Sequence, residues 1–239
     1  MAVKNNETGL SPADAYLILN SAVATSPPLT IVGWFRSNTD HGIICSINAG
    51  PGQGGQDWYS LYITDPGKLA AQAQQGLTTK SSETSSTVND AEWHHGAAVF
   101  TTTSSRTVYL DGVAATTSTG SVNPNNHGLL NETTLYARYE NFASEYLRGF
   151  TGCLAEVAVY SSALSDADIR SLASGETPDN VSSDSLIFYA PLADNSTKAT
   201  NTIGTDLTIQ GDAYFSTCTT SPPVVSHNGG AGTFTRIFG

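Results

Sequence analysis

The chain has 239 residues, of which 39% are hydrophobic and only 13% are charged, so it can bury a large core beneath a surface rich in Ser, Thr, Asn and Gly. Its 21 Asp and Glu residues outnumber 10 Lys and Arg, and the formal charge of -11 argues against nucleic acid and membrane surfaces as partners. No run approaches the 18 apolar residues of a transmembrane helix, and the first residues lack the apolar core of a secretory signal.

Short apolar or alternating runs recur between clusters of Gly, Pro, Asn and Ser, a pattern typical of a many-stranded sandwich. In chain order, the predicted strands cover residues 29–37, 42–48, 58–65, 68–75, 95–101, 106–110, 113–117, 134–139, 152–160, 186–192 and 207–210. The Asp111-Gly112 pair between two of these runs predicts a tight type I′ hairpin. Residues 165–174 alone have a helical pattern, with Ser165 and Asp168 as a capping box. We therefore predict an all-β fold with one short helix.

The two ends differ in composition from the middle of the chain. We predict an N-terminal arm over residues 1–12, a sandwich domain over 13–215 and a Pro/Gly-rich C-terminal arm over 216–239. Phe234, Ile237 and Phe238 are too sparse to form a core of their own. They form a predicted assembly arm, which packs either on neighbouring subunits or on the chain's own body.

The three cysteines, Cys45, Cys153 and Cys218, form an odd set at wide spacing without a zinc-ligand pattern. We therefore expect buried small apolar residues or free thiols at these positions. No cofactor or metal site is predicted from them.

Two segments resemble the laminin-G-like, concanavalin-A-like lectin family. Residues 92–117 (EWHHGAAVFTTTSSRTVYLDGVAATT) are similar to its Trp-His pair, apolar strand and Asp-Gly turn, and residues 149–174 (GFTGCLAEVAVYSSALSDADIRSLAS) to its later acidic-aliphatic strand and helix start. The resemblance covers roughly residues 13–215. It implies a two-sheet antiparallel jelly-roll sandwich with one concave sheet, used mostly for binding or adhesion, often of glycans, and occasionally carrying a structural calcium.

Enzymes on this scaffold that cleave glycans place two or three carboxylates at alternating positions of one strand. The sequence contains no such strand, because Glu83, Asp90 and Glu92 fall in or beside a polar connection and Glu156 stands alone. We therefore predict no catalytic residue and expect the protein not to be an enzyme.

Metal binding is not expected either. Relatives often have two acids where this chain has Ala155-Glu156, and we expect Glu156 to be a buried partner of a backbone N–H or an Arg. Neighbouring strand residues point to opposite faces, so His94 and His95 cannot chelate one ion together. One of these histidines is expected to pack with Trp93 at a sheet corner.

Glycan binding would use exposed aromatic rings beside polar side chains. Residues 50–59 and 139–148 have this composition, and the candidate ligand-binding residues are Trp58, Tyr139, Asn141 and Tyr146. The alternative is that Trp58 and Phe142 turn inward and plug the ends of the sandwich.

The leading hypothesis from the sequence is a non-enzymatic structural or display protein, a capsid decoration or tail component of a virus or bacteriophage, that docks on other subunits of an oligomeric assembly. It is motivated by the missing secretory signal, the unpaired cysteines, only four lysines and the Pro/Gly-rich ends. The alternative is a carbohydrate-binding adhesion module that recognises a glycan through its aromatic loops. A virion surface or an extracellular setting is expected in either case. A third possibility, an enzyme, would need carboxylates brought together from separate strands.

Overall fold

A computed structural model describes residues 2–5, 13–126 and 128–224 of the chain, and two antiparallel sheets contain most of its strands. The strands are β1 (Val3–Asn5), β2 (Tyr16–Leu19), β3 (Leu29–Arg36), β4 (Gly42–Asn48), β5 (Trp58–Ile63), β6 (Lys68–Gln75), β7 (Thr78–Thr87), β8 (His94–Thr102), β9 (Ser105–Leu110), β10 (Val113–Ser118), β11 (Glu132–Leu135), β12 (Arg138–Glu140), β13 (Glu145–Leu147), β14 (Gly152–Tyr160), β15 (Leu186–Ala190), β16 (Thr208–Gln210) and β17 (Phe215–Thr217).

The larger sheet has the order β10-β9-β8-β3-β14-β1-β17, with β15 also paired to β14. The smaller sheet has the order β16-β2-β11-β4-β5-β6-β7, and β12 pairs only with β13 in a separate hairpin. Apolar side chains at alternating positions of both sheets meet in one core, as Tyr59, Leu61 and Ile63 of β5 do. The predicted two-sheet jelly-roll sandwich is therefore confirmed.

Both local predictions from the sequence are confirmed. Asp111 and Gly112 connect β9 to β10 with φ angles of 49° and 81°, the two positive values that a type I′ turn requires. Helix α1 (Asp166–Ala173) begins after Ser165, whose side chain accepts from the Asp168 backbone N–H in a capping box. No helix in the part of the chain that the structure describes is long and apolar enough to cross a membrane.

Strand β7 was missed because its sequence, TTKSSETSST, has no apolar alternation. It lies at an edge of the smaller sheet, where polar side chains are tolerated. The Ser82 hydroxyl donates to the Thr116 carbonyl of β10 at 2.5 Å, and the Glu83 backbone N–H donates to the Thr116 hydroxyl at 3.1 Å. Hydroxyl groups thus join the edges of the two sheets, and Glu83 belongs to a strand, not to the polar connection that was expected.

The strand predicted over residues 134–139 is in fact two strands. Tyr136 has a φ of 71°, which breaks the extended backbone between β11 and β12. The chain leaves the smaller sheet at this residue and enters the β12–β13 hairpin. Because that hairpin folds back over the outer face of the same sheet, it positions the site described below.

The prediction of three free cysteines is wrong for two of them. Cys153 of β14 and Cys218 form a disulfide, with Cα atoms 6.2 Å apart, and only Cys45 is a buried free thiol among the described residues. The pair is 65 residues apart in sequence, so spacing alone could not show that β17 returns to the edge formed by β1, next to β14.

Parts of both predicted arms belong to the sandwich. Strand β1 lies between β14 and β17, Val3 is fully buried, and residues 216–218 continue β17 to the disulfide. The assembly-arm residues Phe234, Ile237 and Phe238 lie outside the described residues.

Candidate functional site

A cleft of about 580 Å³ lies on the outer face of the smaller sheet. Strands β5, β6 and β7 form its floor. The β12–β13 hairpin, together with Arg148 directly after it, forms one wall. The floor residues are Trp58, Tyr62, Gln72, Gln74, Thr79 and Glu83, and the wall residues are Arg138, Glu140, Phe142 and Arg148.

The floor follows from the period of two in β5 and β6. Ala71 and Ala73 face the core, so Gln72 and Gln74 face outward. In the register of the two strands, Gln74 is paired with Trp58, which places an amide beside the indole. Alternation in the sequence AAQAQQ therefore predicts a polar outer face, although it does not show what covers that face.

Trp58 is 3% exposed, and the guanidinium of Arg138 lies 3.6 Å from its ring centroid. The indole Nε1 donates to Gln72 Oε1 at 2.7 Å. One face of the ring is thus covered by a cation and its only polar atom is already bonded. Trp58 forms the floor of the cleft on the outer face of the sheet, so it is buried under Arg138 and does not turn inward to plug an end of the sandwich.

Arg138 is 2% exposed and is held by a carboxylate. Its Nη2 donates to Glu140 Oε1 at 2.6 Å, and its Nη1 lies 3.5 Å from Gln72 Oε1. Burial lowers the pKa of Arg138, and Glu140 opposes that shift. Glu140 also accepts from Arg148 Nε at 3.1 Å, and Arg148 Nη1 lies 3.7 Å from Asp65 Oδ1. These ion pairs fix the wall of the cleft.

Two large apolar side chains are exposed at the rim of the cleft. Phe142 is 74% exposed and Leu77 is 98% exposed, and both line the cleft. The alternative that Phe142 turns inward is therefore wrong. An exposed aromatic ring beside amide and carboxylate groups provides a surface on which a flat apolar face can stack.

Tyr139 and Tyr146 belong to the hairpin but do not line this cleft. Their ring centroids are 5.2 Å apart, and Tyr146 stacks on Tyr16 of β2 at 4.1 Å. The Tyr146 hydroxyl donates to the buried carboxylate of Glu132 at 3.0 Å, and burial raises the pKa of Glu132. These rings attach the hairpin to the sheet.

Asn141 also attaches the hairpin, because its amide donates to the backbone carbonyls of Ala49 and Gly55. The structure thus brings together the two loops singled out in the sequence. Within them it places Trp58 in the cleft and Tyr139, Asn141 and Tyr146 in contacts beside it. Ligand binding by these four residues stays a prediction. No sequence pattern marked Arg138 or Glu140 as site residues, and Phe142 belonged to a candidate loop but not to the four candidate residues, because exposure and pairing depend on where the hairpin folds.

The two histidines point to opposite faces of β8, as predicted. His95 is buried with its ring 5.4 Å from that of Trp34, and burial lowers its pKa to about 4. The His94 ring nitrogens lie 2.8 Å from Asp111 and 3.2 Å from Asp90, and hydrogen bonding to Asp111 raises the His94 pKa. Among the described residues, no group of three or more His, Cys, Asp or Glu is arranged to hold a metal.

Glu156 has a different partner from the one expected. Its carboxylate accepts from the Tyr189 hydroxyl, and within the described ranges no Arg or backbone N–H is bonded to it. The residue lies at a bulge in β14, with a φ of 51°. Burial raises its pKa to about 7; the Tyr189 hydrogen bond opposes that shift and the charge of Asp179 adds to it.

Comparison with protein families gives one match that covers two thirds of the chain. Residues 11–170 match the model of the concanavalin A-like lectin/glucanases superfamily. No curated protein sequence matches the chain.

Several solved structures share this fold with the chain. A proposed carbohydrate-binding protein from Bacteroides ovatus has a TM-score of 0.62 at 16% identity, over 94% of this chain and 62% of that one. A heptameric SAP-like pentraxin from Limulus polyphemus has a TM-score of 0.56 at 15% identity, over 72% of this chain and 81% of the pentraxin chain. The CBM40 of a Ruminococcus gnavus IT-sialidase, bound to α2,3 sialyllactose, has a TM-score of 0.54 at 15% identity, over 71% of this chain and 97% of the CBM40 chain. At these identities the likeness shows a shared fold.

Proposed function

The chain belongs to the concanavalin A-like lectin/glucanases superfamily, and we propose that it is a carbohydrate-binding module that holds a glycan in the cleft beside Phe142. The observation that carries this proposal is the exposed Phe142 ring on the wall of a cleft with a polar floor. Sugar rings stack their C–H faces on aromatic side chains and present hydroxyl groups at their edges. A cleft with one exposed aromatic ring and several amides suits both features.

The polar groups of the cleft are held in position before any sugar binds. Gln74 Nε2 donates to the Gly76 carbonyl at 2.9 Å, and its Oε1 accepts from Thr79 at 2.6 Å. Gln56 Nε2, at the rim, is buried without a hydrogen-bond partner in the described part of the chain. When the half-buried Gln56 side chain turns toward the cleft, this amide can donate to a sugar hydroxyl, and the bond would remove a desolvation penalty already present in the free protein.

The proposal is for binding without catalysis. Glu140 is engaged by two guanidinium groups, and the two oxygens of Glu132 are bonded to Asn48 and Tyr146. A glycosidase needs one carboxyl group that is free to donate a proton and a second that is free to attack or to activate water. Asp65 at the rim also lies 3.7 Å from Arg148, so among the described residues Glu83 is the one acid of the cleft lining without a cationic partner, which supports a binding role.

An extracellular setting is part of the proposal. The Cys153–Cys218 disulfide supports it, because such bonds persist mainly in oxidising compartments. The virion setting and the docking of subunits through Phe234, Ile237 and Phe238 stay predictions from the sequence.

Affinity electrophoresis of Phe142→Ala against a panel of polysaccharides tests the proposal. We expect the variant to lose about tenfold in retention on the polysaccharide that binds the wild type, with an unchanged melting temperature. Val113→Ala is the matched control, because Val113 is 68% exposed on β10 and does not line the cleft. Equal retention of Phe142→Ala and the wild type would exclude this site, and release of reducing sugar from the retained polysaccharide would overturn the non-enzymatic assignment.

A further inference from the structure

We infer that the cleft selects neutral glycans and rejects glycans that carry carboxylate or sulfate groups. This inference rests on the proposed function and specifies its substrate class. It follows from the charges that line the cleft and from the partners of its two arginines.

The cleft lining has an excess of negative charge. Asp65, Glu83 and Glu140 contribute three carboxylates, whereas Arg138 and Arg148 contribute two guanidinium groups. The formal charge of the whole chain, -11, adds a long-range field of the same sign. An anionic sugar would therefore approach the cleft against a repulsive potential.

Neither arginine offers an unpaired positive charge. Arg138 is almost completely buried and is bonded to Glu140 at 2.6 Å, while Arg148 lies between Glu140 and Asp65. A sugar carboxylate could reach the buried Arg138 guanidinium only by displacing Glu140, and on the 38% exposed Arg148 side chain it would compete with Glu140 and Asp65. Since that exchange leaves the displaced acid without its partner, it gains little free energy.

The carboxylates at the rim favour neutral sugars for a second reason. The Asp65 side chain is 74% exposed, and Glu83 is bonded through Oε1 to the Ser81 hydroxyl at 3.2 Å. Carboxylate oxygens accept hydrogen bonds from sugar hydroxyls, which are donors that every neutral sugar carries. The same groups that repel an anion therefore provide acceptors for an uncharged ring.

Matched pairs of polysaccharides that differ only in charge test this inference. The probes are polygalacturonic acid with its methyl ester, dextran sulfate with dextran, and carboxymethyl cellulose with hydroxyethyl cellulose, at low and high salt. We expect each retained neutral polysaccharide to be held at least about tenfold more strongly than its anionic counterpart. Stronger retention of an anionic member would overturn the inference and leave the proposed function standing. Failure to retain any probe of either charge would overturn the proposed function as well.

Variants of the rim carboxylates provide an independent readout. We expect Asp65→Asn combined with Glu83→Gln to raise retention of the anionic probes at low salt and to reduce the preference for the neutral probes severalfold. Asp184→Asn is the matched control, because Asp184 is exposed and does not line the cleft. An unchanged preference in the double variant would show that charge in the cleft does not set specificity.

Discussion

The guanidinium carbon of Arg138 lies 3.6 Å from the centroid of the Trp58 ring, and this pair joins the β12–β13 hairpin to the outer face of the smaller sheet. Both side chains are buried, so the contact forms in a desolvated environment in which a cation–π interaction is strongest. The pair explains why the candidate stacking ring of the cleft is Phe142 and not Trp58.

Replacing Trp58 with Ala should lower the free energy of unfolding by about 3–5 kcal/mol, because it removes a buried ring and the surface on which Arg138 packs. Urea unfolding checks this value, with Trp58→Phe as a control that keeps one aromatic ring under Arg138 and loses the Nε1 hydrogen bond to Gln72 and part of the buried indole. A stable Trp58→Ala protein that has lost glycan retention would instead identify Trp58 as a binding residue.

Glu140→Gln should destabilise the protein by about 3–5 kcal/mol, since the buried guanidinium of Arg138 loses its carboxylate partner. Combining it with Arg138→Met removes the unpaired charge, and we expect the double variant to be more stable than Glu140→Gln alone. A double-mutant cycle measures this coupling from urea unfolding curves. Strictly additive effects of the two substitutions would contradict the assignment of a coupled pair.

Loss of the Cys153–Cys218 disulfide should lower the free energy of unfolding by about 2–4 kcal/mol, because the bond restricts a chain segment of 65 residues in the unfolded state. The Cys153→Ser, Cys218→Ser double variant measures this by urea unfolding without reductant. Thiol labelling of the denatured wild type under non-reducing conditions should modify one cysteine, Cys45. Modification of three would show that the bond is absent.

Stability should fall as pH rises from about 4.5 to about 7 through the titration of Glu156. Burial raises the folded-state pKa of Glu156 to about 7, against 4.5 for an exposed glutamate. Between these values the folded state holds a proton that the unfolded state has released, so raising the pH across this range lowers the free energy of unfolding by about 3 kcal/mol.

Urea unfolding of the wild type and Glu156→Gln at pH 5, 6, 7 and 8 measures the Glu156 contribution. The raised pKa of His94 acts in the same direction, but it is common to both proteins and cancels in their difference. Parallel pH profiles for the two proteins would contradict a buried, protonated Glu156.

The sequence by itself determined the features that depend on neighbouring residues. Period-two alternation located most strands of the two sheets, the Asp111-Gly112 pair located a hairpin, and Ser165 with Asp168 located the start of the helix. It also identified the two loops that meet at the cleft. Each of these features depends on backbone preferences, or on which way side chains point, within a stretch of a few residues. The order of residues along the chain specifies both.

Only the tertiary structure decided which side chains those loops expose and which they bury. Phe142 faces solvent while Trp58 lies beneath Arg138, although both are aromatic residues in polar loops. Likewise, Cys153 and Cys218 pair because β17 returns beside β1, whose other neighbour is β14. These outcomes depend on how distant segments pack, and the free energy of that packing comes from contacts between residues far apart in the chain, which no local pattern specifies.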